Sequence, residues 1–331
     1  MDSEQPFYVF AADDVRMALP MDRAVEAMKG AFMELSGGEV TVPLRTPIDL
    51  PEHNADALVM SSYSPRLAQV GLKIVMLHPD NVKQGLPFIQ GTVMILDAAR
   101  GTPLAVMSGA ALTAIRTGAA SGAATDALAR TDATRVAIIG SGTQAATQLE
   151  AMCVVRDIKR ATVYDLDASR AEAFAERMQA ALKIDVVVAP SVSAAVADAD
   201  IVCTATTSRR PVFEDADVPP GTHINAIGVY KPNEREIPAA TVARARVVVD
   251  EVDAAWEEAG ELVLAREEGL IETSHIHAEI GEILAGTKPG RASDEEITFF
   301  KSVGVANQDL SAAHVVLSRG IELGLGAAVS L

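Results

Sequence analysis

The chain has 331 residues, a formal net charge of −17, 49% hydrophobic residues and two cysteines. That length buries a full core without metals or disulfides, and the negative balance argues against nucleic acid or anionic lipid, whose binding rests on clustered Lys and Arg. The start of the chain has no basic stretch leading into an apolar run, and no segment approaches the roughly 18 apolar residues of a membrane span, so a cytoplasmic protein is expected.

In chain order, the first half reads as α+β. An amphipathic helix is expected over residues 22–36, short strands over 57–61, 70–75 and 92–97, and a helix rich in Ala and Gly over 113–129. From Thr134 onward, short β-branched runs alternate with alanine-rich helical stretches, the pattern of a parallel sheet with crossover helices. Strands are expected at 135–139, 161–164, 185–188, 201–205, 223–227 and 246–249, with helices at 143–156 and 168–182 in the first two crossovers. The polar stretch Arg130–Thr134 is the expected boundary, and a last helix over 309–323 is expected to return to the first domain. The fold class is α/β: a Rossmann doubly wound parallel sheet over 131–304, and a discontinuous α+β domain over 1–130 plus 305–331.

Within the second domain, Gly140-Ser141-Gly142-Thr143-Gln144-Ala145 follows an apolar strand and opens a helix. Glycines there permit a tight turn and close approach of a pyrophosphate, and the helix N-terminus offers N–H groups to it; Ala145 takes the third glycine position. Asp165 ends the next strand, 23 residues beyond Gly142, where a carboxylate binds the adenosine ribose hydroxyls. A carboxylate there favours NAD over NADP, with Arg170 as the counter-argument; the plain alternative for Asp165 is a turn or helix cap.

Several stretches in order, including Val42–Arg45, Gly71–Lys73, Leu112–Ser121, the glycine turn, Ile224–Gly228 and Asp294–Gly304, resemble the ornithine cyclodeaminase/mu-crystallin family. The resemblance implies a homodimer whose first domain binds substrate and dimerises while the Rossmann domain holds the nicotinamide. It implies that Arg45, Lys73 and Arg116 surround the carboxylate of an amino or imino acid. It also implies cofactor contacts from Arg116 and Thr117, from Gly140 to Gln144, and from Asp165, Thr206, Asn225, Ala226, Gly228, Ser302 and Val303. Lys73 sits in an apolar strand and Arg116 in an uncharged helix, where charges need a partner or a task. Burial beside two arginines is expected to lower the Lys73 pKa towards neutrality, suiting it to exchange a proton with a substrate nitrogen; pure carboxylate binding is the alternative.

The chain departs from this pattern at one place. In the cyclodeaminase and alanine dehydrogenase branches an aspartate follows the Asn-Ala-x-Gly-x segment, whereas Tyr230 stands here. That favours a ketimine reductase, such as one reducing Δ1-pyrroline-2-carboxylate to L-proline, over cyclisation of ornithine; a non-catalytic binding protein is the remaining alternative. The Tyr-x-Pro-x-x-Arg-Glu run from Tyr230 to Glu236 points the same way. Asp309, in the first turn of the returning helix, reads more simply as a helix cap than as a cleft acid. The histidines show no metal spacing, so no metal is expected, and Trp256 reads as a packing residue.

Overall fold

A computed structural model describes residues 6–330. They divide into two compact units, one running up to Arg116 and resuming at Val305, the other Thr117–Gly304. The division falls inside a helix rather than at the polar stretch 130–134. The reason is local: a Cβ on Gly118 would lie 2.4 Å from Thr147 O, so the small residues after Arg116 pack tightly within the second unit.

The first unit opens with β1 (Phe7–Phe10), α1 (Ala12–Ala18) and α2 (Met21–Ser36), then β2 (Thr46–Leu50), β3 (Ala55–Ser64), β4 (Gln69–Leu77), β5 (Ile89–Asp97) and β6 (Pro103–Ser108). The long helix α3 (Gly109–Leu128) follows. Burial alternates strictly along β4: Gln69, Gly71, Lys73, Val75 and Leu77 are buried, while Leu72 and Ile74 are exposed. Side chains alternate across a strand, so the sequence places Lys73 on the covered face.

The second unit contains β7 (Arg135–Ile139), α4 (Thr143–Val155), β8 (Arg160–Tyr164), α5 (Ala168–Leu182), β9 (Asp185–Val188), α6 (Val192–Val196), β10 (Ile201–Thr204) and β11 (His223–Ala226). Then come α7 (Ala239–Arg244), β12 (Arg246–Val249), α8 (Val252–Glu258), α9 (Gly260–Glu267), β13 (Ile276–Glu279), α10 (Ile280–Leu284) and β14 (Thr298–Lys301). Among the described residues these strands form one parallel sheet in the order β13-β12-β14-β11-β10-β7-β8-β9. The expected six strands are present, but two more join them, and β14 separates β11 from β12. β14 escapes notice in the sequence because it is four residues long and ends on a charge, Lys301. The direction of winding reverses between β7 and β10, and ligands of such sheets bind beyond the strand ends at that point.

The chain then returns to the first unit as α11 (Ala306–Glu322) and β15 (Ala327–Val329), completing a sheet ordered β15-β1-β6-β5-β4-β3-β2. α11 packs against α2 and across β3, β4 and β5. Gly71 lets it sit close, since a Cβ there would meet Leu310 Cβ at 3.0 Å. On the opposite face, register aligns Ile48, Tyr63, Leu72 and Ile74, all exposed.

Candidate active site

Within the first unit, the covered face of β4 and the start of α11 build a buried charge cluster. Lys73 Nζ donates to Asp309 Oδ2 at 2.5 Å, and Arg116 Nε donates to Asp309 Oδ1 at 3.1 Å. Arg116 Nη1 also donates to Gln308 Oε1 at 2.9 Å. Lys73 and Asp309 are each 3% exposed at the side chain, Arg116 7%. Burial lowers the Lys73 pKa to about 8; Asp309 opposes that fall, and the Arg116 and Arg45 charges add to it. Asp309 is held below the usual carboxylate range: its own burial pushes upward, but Lys73 and Arg116 outweigh it.

Arg45, Lys73 and Arg116 therefore act on one another, as the resemblance implies, but their organiser is Asp309. The plain reading of Asp309 as a helix cap fails: α11 has no side-chain cap hydrogen bond, and the carboxylate reaches β4 and α3 instead. With Lys73 protonated, three cations face one acid, leaving two positive charges in excess. Gln308 Nε2 and Thr113 Oγ1, one turn from Arg116, are buried without a hydrogen-bond partner. Such a cluster is complementary to a small anion bearing further polar groups.

The glycine turn of the second unit has two glycines with different reasons. Gly140 has φ +101° and a Cβ on it would lie 2.6 Å from Ala205 O, so the fold itself requires glycine there. Gly142, the N-cap of α4, has an ordinary φ of −80° and nothing within 4 Å of an added Cβ. The fold does not require glycine at that position; close approach of a ligand explains it. No side chain caps α4, so the first-turn amides around Thr143 and Gln144 remain available to an anion. Ala145 is fully buried, where the third glycine of the fingerprint packs helix on strand. These residues fit a dinucleotide.

Asp165 Oδ2 accepts from Ser141 N at 3.0 Å and Ser141 Oγ at 2.5 Å, tying the end of β8 to the turn. The cap of α5 is Asp167, which accepts from Ser169 N and Arg170 N. Asp165 is thereby free of helix capping, although its Oδ1 accepts from Asp167 N.

The remaining expected cofactor residues lie at the ends of β10, β11 and β14 or beside α4. Thr206 N and Oγ1 donate to Glu236 Oε1, and Gly228 N donates to Glu236 Oε2. Ser302 Oγ, Val303 N and Gly304 N all donate to Asp250 Oδ2. Ala226 is buried at the end of β11, and Thr117 O accepts from Gln148 Nε2 at 3.2 Å. Asn225 is the exception: its Nδ2 donates to Thr125 Oγ1 and its Oδ1 meets His223 Nε2, so its side chain is committed inside the unit. Glu236 was visible only as the end of a motif, and Asp250 drew no notice; the signal for the latter is an acid directly after the apolar run Val247-Val248-Val249.

Among the described residues no group of three or more His, Cys, Asp or Glu suits a metal, and no helix is long and apolar enough to cross a membrane. His275 and His277 bond to backbone carbonyls of Val242 and Pro289. Trp256 carries the Arg266 guanidinium 4.8 Å from its ring centre.

Comparison with known proteins accords with this geometry. The sequence profile of the ornithine cyclodeaminase/mu-crystallin family matches residues 8–322. A Δ1-pyrroline-2-carboxylate reductase of Bacillus cereus is 40% identical over 319 residues, covering 96% of this chain and 98% of that one. The structure of Thermococcus litoralis Δ1-pyrroline-2-carboxylate reductase in complex with NADH and L-proline superposes with a TM-score of 0.95 at 41% identity, covering 97% of this chain and all of that one. An archaeal alanine dehydrogenase dimer with bound NAD gives a TM-score of 0.91 at 35% identity, covering 98% and 99%.

Proposed function

The chain belongs to the ornithine cyclodeaminase/mu-crystallin family, and from that premise we propose that it is an NADH-dependent ketimine reductase converting Δ1-pyrroline-2-carboxylate to L-proline. The observation that carries this reading is the buried Lys73–Asp309–Arg116 cluster. Its excess positive charge holds the carboxylate of a cyclic imino acid, with the guanidinium of Arg116 presenting a planar fork and Arg45 contributing charge. Lys73, with a pKa near 8, keeps a proton at Nζ that it can lend to the substrate nitrogen, and an iminium accepts hydride far better than a neutral imine. The dihydronicotinamide, when bound, supplies the hydride. The two residues of the relatives' names and bound ligands that bear on the choice, an imino acid reductase and its NADH and proline, support the same reaction.

Tyr230 supports a reductase over a cyclodeaminase, since it stands where an acid would manage the amine during ring closure. The Asp165 carboxylate beside Ser141 supports NAD over NADP through its repulsion of a 2′-phosphate. A homodimer is part of the proposal: the exposed apolar stripe of Ile48, Tyr63, Leu72 and Ile74 suits a subunit interface, and one structural relative is a dimer. Burial pushes the Cys203 thiol up to about 12 and Cys153 to about 11, so both stay as unreactive thiols suited to a reducing cytoplasm.

The test is loss of nicotinamide absorbance when NADH or NADPH is mixed with Δ1-pyrroline-2-carboxylate, with proline as product. Absence of NADH oxidation, together with proline and ammonia released from ornithine, would overturn the proposal.

A further inference from the structure

Glu236 has no place in the chemistry above, yet it is completely buried and has more partners than any other acid of the second unit that lacks an assigned task. Its Oε1 accepts from Thr206 N at 2.7 Å and Thr206 Oγ1 at 2.6 Å; its Oε2 accepts from Gly228 N at 2.9 Å and Thr204 Oγ1 at 3.0 Å. Its backbone is held as well: Glu236 N donates to Glu261 Oε1 at 3.1 Å, and Glu236 O accepts from Val212 N at 2.8 Å. Glu261 Oε2 is paired with Lys301 Nζ at 3.0 Å, and that ammonium donates to Val229 O at 2.6 Å. Lys301 and Glu261 are as fully buried as Glu236.

These contacts join the exits of three neighbouring strands, β10, β11 and β14, which are the segments expected to meet the cofactor on the side away from the glycine turn. The loop carrying Glu236 is seated closely, since a Cβ on Gly260 would fall 1.8 Å from Glu234 O. A Cβ on Gly228 would lie 2.4 Å from both Glu236 Oε2 and Thr206 O, so the carboxylate fills the space between the two exits. Packing alone does not call for this arrangement, because an apolar side chain fills such a volume without the desolvation cost of a carboxylate. The carboxylate supplies two acceptors aimed at two backbone N–H groups, one on each loop.

We propose that Glu236 is a positioning residue for the nicotinamide end of the cofactor: its carboxylate fixes the Thr206 and Gly228 loops in the shape that receives the ring, with Glu261 and Lys301 bracing it. This rests on the reading that NADH binds with its nicotinamide at those strand exits. The glycine turn, α4 and Asp165 make no hydrogen bond to Glu236, so the adenosine half of the site lies outside its influence.

The predicted signature is a split between ligands. In Glu236→Gln the amide retains one acceptor and turns an NH2 group towards N–H donors that need acceptors. Calorimetric titration should show NADH binding weakened about tenfold or more, the scale of a lost hydrogen bond to a charged group, while ADP-ribose, which lacks nicotinamide, binds within about twofold of wild type. Deuterium exchange of the free protein should accelerate at the Thr206 and Gly228 amides. Thr204→Val removes a single donor to Oε2 without touching either loop's backbone, and should give the same split at smaller amplitude; it carries the test if Glu236→Gln does not fold.

Equal weakening of NADH and ADP-ribose would make Glu236 a general structural residue and overturn the proposal, as would faster exchange with unchanged NADH affinity. A wild-type protein that binds ADP-ribose and NADH equally tightly would instead overturn the underlying reading, because the nicotinamide would then contribute nothing at these loops.

Discussion

Asp309→Asn isolates the charge that organises the first unit's cluster, because it keeps the side chain's shape while removing the counter-ion of Lys73 and Arg116. In the wild type, the fall of the Lys73 pKa from 10.5 to about 8 corresponds to roughly 3 kcal/mol against its charged form, even with Asp309 opposing the fall. Without that carboxylate, burial and the two arginines act unopposed, and Lys73 gives up its proton at roughly pH 6. Two measurements follow. In the direction of imine reduction, kcat/KM for the imino acid should decline above about pH 8 in the wild type and above about pH 6 in the variant, a loss of about 20-fold at pH 7.5.

Stability should respond with a definite sign. The folded pKa of Lys73 lies below its unfolded value, so the unfolded chain binds more protons between the two, and this group's contribution to stability rises with pH from about 8 to 10.5. In the variant that rise begins near pH 6. Breaking a buried pair costs about 3–5 kcal/mol, so denaturant unfolding should show a deficit of that size at pH 5.5 that shrinks by roughly 2–3 kcal/mol by pH 8.5. An alkaline limb that stays near pH 8 in the variant would refute the reasoning, since the titrating group would not be a lysine governed by Asp309.

Four further outcomes are expected. Lys73→Met, which keeps an apolar stem in the buried site, should lower imine reduction by about 100-fold or more while NADH affinity, followed by fluorescence, stays within about twofold; equal loss of both would make Lys73 structural. Gly142→Ala should cost the free protein less than about 1 kcal/mol yet weaken dinucleotide binding, whereas Gly140→Ala should destabilise the fold by about 2 kcal/mol or more through its positive φ and its approach to Ala205 O. Calorimetry of both variants checks the contrast, and a Gly142→Ala protein with wild-type affinity would remove the pyrophosphate from that turn. Asp165→Ser should narrow the NADH to NADPH ratio of kcat/KM, and an unchanged ratio would deny the carboxylate its ribose role. Ile74→Asp, on the exposed stripe of β4, should shift the protein towards monomer in sedimentation; an unchanged mass would place any interface elsewhere.

The parts of the molecule legible in the sequence are those whose causes are local. The six expected strands of the second unit lie within a residue or so of where β-branched runs place them, and α5 matches its expected span, because periodicity and turn chemistry act over neighbouring residues. Gly140 is likewise local, a backbone demand written as a missing side chain. What escaped depends on neighbours distant in sequence: β14 is a strand because β11 and β12 flank it, and Asp250 matters because it gathers amides 52 to 54 residues away. The unit boundary was misplaced for the same reason, since the polar stretch 130–134 marks a turn but Gly118, contacting α4, decides where packing changes sides.

Asp309 marks the limit of this separation. Taken alone, an acid in a helix's first turn is most simply a cap, and nothing nearby in the sequence contradicts that. Two other facts do. The alternation along β4 turns Lys73 to the covered face, and a returning final helix is what covers it. A buried lysine without a counter-charge is unstable by several kcal/mol, and a partner has to come from the element packed over it. α11 carries one acid in its first turn, Asp309, and the cap site it was assigned to has no side-chain hydrogen bond. The ion pair that forms the centre of the proposed site follows from a strand's period of two and a helix's place in the fold, and neither alone is sufficient.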